Sequence, residues 1–392
     1  MKILAIICDN IFLLKLGINL AVEYPTLKII AFVFSKNDLR EWRQNTRKLV
    51  NFEVVMVVKS KSLIQEAKYF ENSKYVLAKY QDARYAMLLY NSTYDTLENY
   101  FGEDFLANRS NIRIVVHNGY QPTAQAAVDF AKQRSIPFKI TEIGNVPFKM
   151  IIDNRGLNTQ SSFKVSKKAL DENYLENARR KWNQPPLRVP KKRSDKAYHV
   201  SLKYRLSKLL FSQNLHPVYQ NKFRYLKSRI NKIIIRILLK VYAAKTFPEY
   251  YELCILQVSN DIQLREFSNF KNIDVLRHSH EASKSTLAVK LHPAETSISD
   301  AWECIKFCRE KNIYIVEDDI NILIDESSKI YLNNSSTIMK CILSNKPVVI
   351  LGSSIFDDRS ISTVISYLED YLVNYDLLRG DGDISDVYSR LL

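Results

Sequence analysis

A histidine and a proline close the apolar run Leu287-Ala288-Val289-Lys290-Leu291-His292-Pro293. The run has no polar alternation and Pro293 stops it, so it reads as a buried strand that delivers the His292 imidazole to its carboxyl end. In open α/β sheets that edge is where ligands bind. Downstream, Ile330–Leu332 leads into Asn333-Asn334-Ser335-Ser336-Thr337, then a helical run over Ile338–Leu343, and then the strand-like Val348–Leu351. Hydroxyls and backbone N–H groups at a helix start receive anions. An imidazole with Ser335 and Ser336 on a neighbouring strand suits a phosphate group. Alone, a His-Pro pair is a turn and nothing more. Its company raises the interest: His117-Asn118-Gly119-Tyr120, Thr141-Glu142-Ile143-Gly144, Asp153-Asn154-Arg155-Gly156-Leu157-Asn158 and Gln257-Val258-Ser259-Asn260-Asp261 each continue a strand-like run.

Those clusters need a scaffold that ends strands side by side. Residues 1–160 supply one, with candidate strands at Lys2–Ile7, Ile29–Phe34, Tyr85–Tyr90, Ile112–Val116, Phe138–Glu142 and Met150–Asp153. Helical patterns lie between them, over Ile11–Ala21 and over Thr123–Arg134 behind Pro122. Residues 251–392 repeat the alternation, with strands at Tyr251–Val258, Leu287–Leu291, Ile313–Val316, Ile330–Leu332 and Val348–Leu351. Helical patterns cover Ser299–Lys311 and a tail over Ser360–Leu378 that could cross back. Such alternation makes parallel sheets covered on both faces. The expected fold is α/β: two Rossmann-like domains facing a central cleft, joined by a basic connector and an amphipathic helix over 161–250. Gly119, Gly144 and Gly156 follow strand-like runs, where a positive φ or a close approach fits glycine.

The connector holds the charge. Net charge is +15 overall, yet Lys164–Lys245 carries 22 basic and 4 acidic residues while the remainder carries 35 and 38. That segment therefore has a partner of its own. From Phe223 to Lys245, Leu226, Ile230, Ile233, Ile234, Ile237, Leu238 and Val241 form one stripe, ringed by Arg224, Lys227, Arg229, Lys232, Arg236 and Lys240. It reads either as a helix on an anionic membrane surface or as a core helix with a solvated basic face. Tyr198, Tyr204, Tyr219, Phe223 and Tyr225 among the basic residues leave nucleic acid as a minor alternative, without a recognisable module. The 5 cysteines show no metal-type spacing, and Cys304 and Cys308 read as one packed helix face, which points to a reducing compartment. Asp9, Asn10 and Lys15 interrupt the opening apolar run before a secretory core develops, so a cytoplasmic location is expected. G-x-G-x-x-G and G-x-x-x-x-G-K-[ST] are both absent, which removes support for dinucleotide oxidoreductases and P-loop kinases.

Six motifs, taken in order, resemble the bacterial capsule polysaccharide synthesis family: Asn118-Gly119, Glu142–Gly144, Asp153–Asn158, Gln257–Asp261, Val289–Pro293, and Ser335 leading to Lys346-Pro347-Val348. The resemblance spans roughly residues 112–352 and implies a GT-B glycosyltransferase of the retaining β-Kdo type, using CMP-Kdo. It implies that Asp261 is the nucleophile of a double displacement. An aspartate there serves equally as a helix N-cap. It implies that His292, Ser335 and Ser336 bind the departing phosphate, with Lys290, Pro293, Gln257 and Asn260 around the donor. Glu142 becomes the candidate for handling the acceptor hydroxyl, or else a loop carboxylate, with Asn118, Gly119, Gly144 and Asn158 near the acceptor. No metal or other cofactor is expected, and Asp318-Asp319 reads as a surface turn. The acceptor would be a lipid-linked or growing glycan at the inner face of the membrane. One departure stands out. Where the family has Gly and Glu, this chain has Ile338 and Lys340, and lysine cannot accept hydrogen bonds from ribose hydroxyls. Glu317 is the substitute considered for the nucleotide, and another donor, CMP-sialic acid or a UDP-sugar, is the alternative.

Overall fold

The computed structural model describes residues 1–9, 11–35, 39, 43, 46–71, 73, 76, 81–102, 109–183, 215 and 222–392. The rest of the basic segment, 184–214 and 216–221, lies outside the described residues, and with it most of the proline-bearing connector and Tyr198, Tyr204 and Tyr219. Two compact units emerge. The first includes Met1–Ser162 and Leu372–Leu392; the second includes Tyr225–Tyr371 and the stretch that opens at Phe163.

The first unit is built on six strands: β1 (Ile3–Ile7), β2 (Lys28–Val33), β3 (Phe52–Met56), β4 (Ile112–His117), β5 (Phe138–Ile143) and β6 (Met150–Asp153). Their order is β3-β2-β1-β4-β5-β6, and all pair in parallel except β6, which runs antiparallel with Glu142 opposite Ile151. Parallel strands buried on both faces read as unbroken apolar runs, as β1 and β2 do. Helices α1 (Ile11–Glu23), α2 (Ala83–Tyr100) and α3 (Pro122–Gln133) cross over the sheet. Strand order reverses between β1 and β4.

One expectation fails here and one strand was missed. Tyr85–Tyr90, read as a strand, lies inside α2. Asp82 caps that helix by accepting from the Tyr85 N–H at 2.8 Å. Ala86, Leu89, Tyr90, Thr93, Tyr94 and Leu97 are buried at helical spacing, and this period overrides the β preference of tyrosine. The strand that does lie in this part of the sheet is β3, whose Phe-Glu-Val-Val-Met run had not been singled out.

The second unit carries β7 (Glu252–Ile255), β8 (Leu287–Lys290), β9 (Tyr314–Ile315), β10 (Lys329–Leu332) and β11 (Val348–Ile350). They are all parallel, in the order β11-β10-β7-β8-β9, so the reversal falls between β7 and β10. Cys304 and Cys308 pack with Cys254, Val289 and Ile305 in its core, and all five cysteines are free and buried. Burial pushes the Cys254 thiol up to about 12.

Two helices from the expected connector belong to this unit. In α4 (Glu172–Asn183), Lys181 and Trp182 both bond Glu369. Helix α5 (Lys222–Tyr242) packs through Ile235 and Leu239, with Leu238 and Tyr242 beside them. Six of the seven residues of the anticipated stripe, all but Leu238, are instead exposed. No helix among the described residues is long and apolar enough to cross a membrane.

The expected tail helix over Ser360–Leu378 is shorter. It runs Ile361–Ser366, widens into a π-type turn at Tyr367–Tyr371, and gives way to a small hairpin, β12 (Tyr375–Asp376) and β13 (Asp381–Gly382). Gly382, at φ +134°, takes a backbone conformation open to glycine. Val373 exchanges both backbone hydrogen bonds with Met150, and Tyr375, Leu377, Val387 and Leu391 enter the core beside Leu13, Leu16 and Leu20.

Candidate active site

In the second unit the polar residues gather at the carboxyl ends of β7, β8 and β10, beside the reversal, where adjacent loops diverge and leave a crevice. Asn272 holds the loop after β7 by accepting from the Gln257 N–H (3.1 Å) and donating to the Gln257 C=O (2.6 Å). The Gln257 side chain then accepts from the Asn334 N–H at 3.3 Å, linking the ends of β7 and β10. A second tie joins β7 to β8. The buried Glu295 carboxylate accepts from the Ser259 N–H (2.7 Å) and hydroxyl (2.8 Å), and also from the N–H groups of Thr296 and Ser297 (2.7 Å each). Ser259 lies two residues before Asp261 and Glu295 three after His292, so this carboxylate fixes the two loops that carry them. Sequence reasoning passed over Glu295. A lone acid after a His-Pro turn gives no local signal of such a role.

Asp261 stands at the start of the five-residue helix Ile262–Glu266 and is half-buried. Its C=O accepts from the Arg265 N–H, so the backbone occupies the capping station anticipated for it. Arg265 also donates to the Ser259 C=O (3.0 Å) and to the Asn260 side chain (3.2 Å), which holds Asn260 in place.

His292 accepts from the Ala294 N–H at Nδ1, 3.0 Å away. In the neutral ring the proton therefore sits on Nε2, which is left as a donor. Desolvation lowers the imidazole pKa even though the residue keeps an exposed edge; Asp261 and Glu295 oppose that shift, and Lys232 and Lys290 add to it. Lys290, the last residue of β8, is also lowered by desolvation, against the pull of Glu317, Asp318 and Asp319. Glu317 is exposed and faces Lys290 electrostatically, and Asp319 caps the following helix by accepting from the Asn321 N–H.

The Ser335–Thr337 turn meets part of its own demand. Ser335 Oγ accepts from the Thr337 N–H (3.3 Å) and lies 3.0 Å from the Thr337 hydroxyl, while Ser336 is exposed. At the positions of departure, Ile338 is fully buried in the core and Lys340 pairs with Asp325 at 3.5 Å. Pro293 is exposed at the turn.

The first unit has its own polar edge. His117 ends β4, and the turn beyond it uses φ +45° at Asn118 and +79° at Gly119. Asn118 donates its N–H to the Thr141 C=O (2.8 Å) and accepts the Tyr120 N–H on its side chain (3.1 Å). His117 Nε2 lies 3.5 Å from Glu142 Oε1, which also accepts the Ile143 N–H. Among the described residues, His117 Nδ1 is buried without a hydrogen-bond partner. Across the reversal, just past β1, sits Asp9, another residue the sequence did not single out for chemistry. It is buried and accepts from the Thr123 hydroxyl at 3.2 Å. Burial pushes its carboxyl up to about 7; His117 and Thr123 pull against that, and Glu142 adds to it.

Gly144 follows the carboxyl end of β5, and Asn158 opens a turn whose Gln160 side chain accepts from the Tyr120 hydroxyl at 3.0 Å. A Cβ on Gly144 would lie 2.4 Å from the Lys149 carbonyl, so glycine is needed to close the β5–β6 hairpin. Asn158, at φ +49°, opens a short turn whose Ser161 hydroxyl returns to the Asn158 C=O. Asp153 organises the same loop by accepting from Arg155, Gly156 and Ser162.

Fold and edge residues define a chain of two doubly wound α/β units, each with ionisable groups at its strand reversal. A family model described as Capsule polysaccharide biosynthesis protein matches residues 113–364, well over half of the sequence. The chain belongs to that family. No curated protein matches it. Among solved structures, the beta Kdo 2,7 transferase KpsC of Thermosulfurimonas dismutans is similar at 12% identity and TM-score 0.42, over 92% of this chain and 99% of that one. A putative UDP-N-acetylglucosamine 2-epimerase from Listeria monocytogenes follows at 10% identity and TM-score 0.29, over 95% and 87%. The UDP-N-acetylglucosamine 2-epimerase of Rickettsia bellii is similar at 13% and 0.27, over 99% and 95%. TM-scores this low say nothing about chemistry.

Proposed function

We propose that the chain is a glycosyltransferase of capsule polysaccharide synthesis that transfers Kdo from CMP-Kdo with retention, through a glycosyl ester on Asp261. The observation that carries the reading is the Glu295 tie, which holds the Asp261 and His292 loops together at the strand reversal of the second unit. In the first step the Asp261 carboxylate attacks the anomeric carbon as the bond from that carbon to the phosphate oxygen breaks. His292 Nε2–H donates to the departing CMP phosphate, and Lys290 offsets its charge. In the second step the acceptor hydroxyl displaces Asp261 and loses its proton. That proton passes to a general base. Two inversions give net retention.

Purified protein should release CMP from CMP-Kdo when a capsule-type acceptor is present. Asp261→Ala should lower that rate at least about a thousandfold, and His292→Ala about a hundredfold. Equal turnover by wild type and Asp261→Ala would end the nucleophile assignment.

A second reading keeps the fold and changes the donor to CMP-sialic acid or a UDP-sugar. Lys340 motivates it: that side chain pairs with Asp325, so the carboxylate that the family resemblance implies for the ribose has no counterpart at this position and donor identity stays open. Thermal-shift screening and turnover separate them: stabilisation by uridine nucleotides but not by CMP selects a UDP-sugar, and CMP release from CMP-sialic acid but not from CMP-Kdo selects CMP-sialic acid.

A further inference from the structure

Helix α5 has two apolar faces, and the second unit covers only one. Ile235 and Leu239 are buried, and Asn231 beside them donates to the Thr296 C=O at 3.0 Å. At 3.6 residues per turn, Phe223, Leu226, Ile230, Ile233, Ile237 and Val241 fall together on the opposite side. Each of these six exposes between 48% and 73% of its surface. Along one margin of the stripe, Arg229, Lys232, Arg236 and Lys240 follow one another at helical spacing, and the helix contains no acidic residue. Soluble surfaces rarely leave an apolar strip of this length open, so it marks a contact.

We propose that this outward face of α5 lies on an anionic lipid surface, with the six apolar side chains at the acyl boundary and the basic row at the headgroup phosphates. Complementary charge selects this occupant. A second copy of the helix would bring another basic row and no acid to meet it. The stripe is straight and about 30 Å long, which suits a flat, continuous surface. The charged margin keeps the helix on the membrane rather than across it, and the long Lys and Arg stems reach out to the headgroups. The inference is independent of the transferase reading, because it requires neither donor nor acceptor.

The test is co-sedimentation of the full-length protein with vesicles of phosphatidylcholine alone or containing about one-third phosphatidylglycerol, without sugars. Binding should appear only with the anionic vesicles. Ile233→Glu with Ile237→Glu should weaken it at least about tenfold, as should Arg236→Glu with Lys240→Glu. Both pairs face solvent, so thermal unfolding should match wild type and exclude misfolding as the cause. Failure of wild type to bind anionic vesicles overturns the proposal. So does undiminished binding by the Ile233/Ile237 variant, which would leave charge alone as the cause. A dimer in ultracentrifugation that Ile233→Glu dissolves would assign the face to a second copy instead.

Discussion

Asp9 carries a proton at pH values where an ordinary aspartate has lost it. Its folded pKa of about 7 stands above the ordinary aspartate value of 3.8, so the folded chain holds a proton that the unfolded chain releases. The associated stability is complete below the ordinary value and is lost as pH rises through about 7. Over that window the loss amounts to at most about 4 kcal/mol. Asp9→Asn mimics the protonated form and should flatten the slope. Chemical denaturation at acid and alkaline pH checks this. The wild-type midpoint should fall toward alkaline pH while that of the variant holds, and parallel curves would show that burial does not control this carboxyl. Asp153 behaves in the opposite sense. Burial raises its pKa, but hydrogen bonds from Ser162, Gly156 and Arg155 outweigh that and lower it overall. Its contribution is therefore present above the ordinary carboxylate range and lost as pH falls through its lowered value.

Loops between strands and helices do the positioning, and Glu295 is the clearest case. Glu295→Gln keeps the shape but replaces one acceptor oxygen with a donor amide facing N–H groups. It should cost roughly 2–3 kcal/mol of stability and loosen the Ser259–Asp261 loop. Urea denaturation reads the first effect. Weaker binding of CMP by calorimetry reads the second, and unchanged affinity would mean that the tie does not shape the nucleotide site.

The same element shows where sequence is silent. Apolar runs such as Ile3–Ile7 and Leu287–Lys290 announce buried parallel strands because both of their faces are covered. The placement of His292 and Asp261 beyond strand ends was legible because a proline or a cap position marks where a strand run stops. Glu295 and Asp9 were not legible, since their roles arise from partners distant in sequence: Ser259 in one case, His117 and Thr123 in the other. Tyr85–Tyr90 misled because a short apolar run bounded by tyrosines suits a strand as well as a helix, while its helical burial period shows only over a longer window. The stripe on α5 was found, but periodicity alone could not say that a neighbouring face, at Ile235 and Leu239, would do the packing.

At the scale of the whole molecule, the first unit is not continuous in sequence. Val373, Tyr375, Leu377, Val387 and Leu391 sit in one core with β1, β2 and α1. Truncation after Tyr371 should therefore unfold the first unit, although every strand of its six-stranded sheet is retained. Hydrogen exchange would show it as lost protection in β1–β4 with β7–β10 still protected. Retained protection in the first sheet would make the tail dispensable.

The tail also sets a timetable. On the ribosome β1 and β2 emerge well before the side chains that complete their core, which are translated only after the entire second unit. Until then the nascent sheet carries an open apolar surface and must wait, shielded by chaperones or by the speed of elongation.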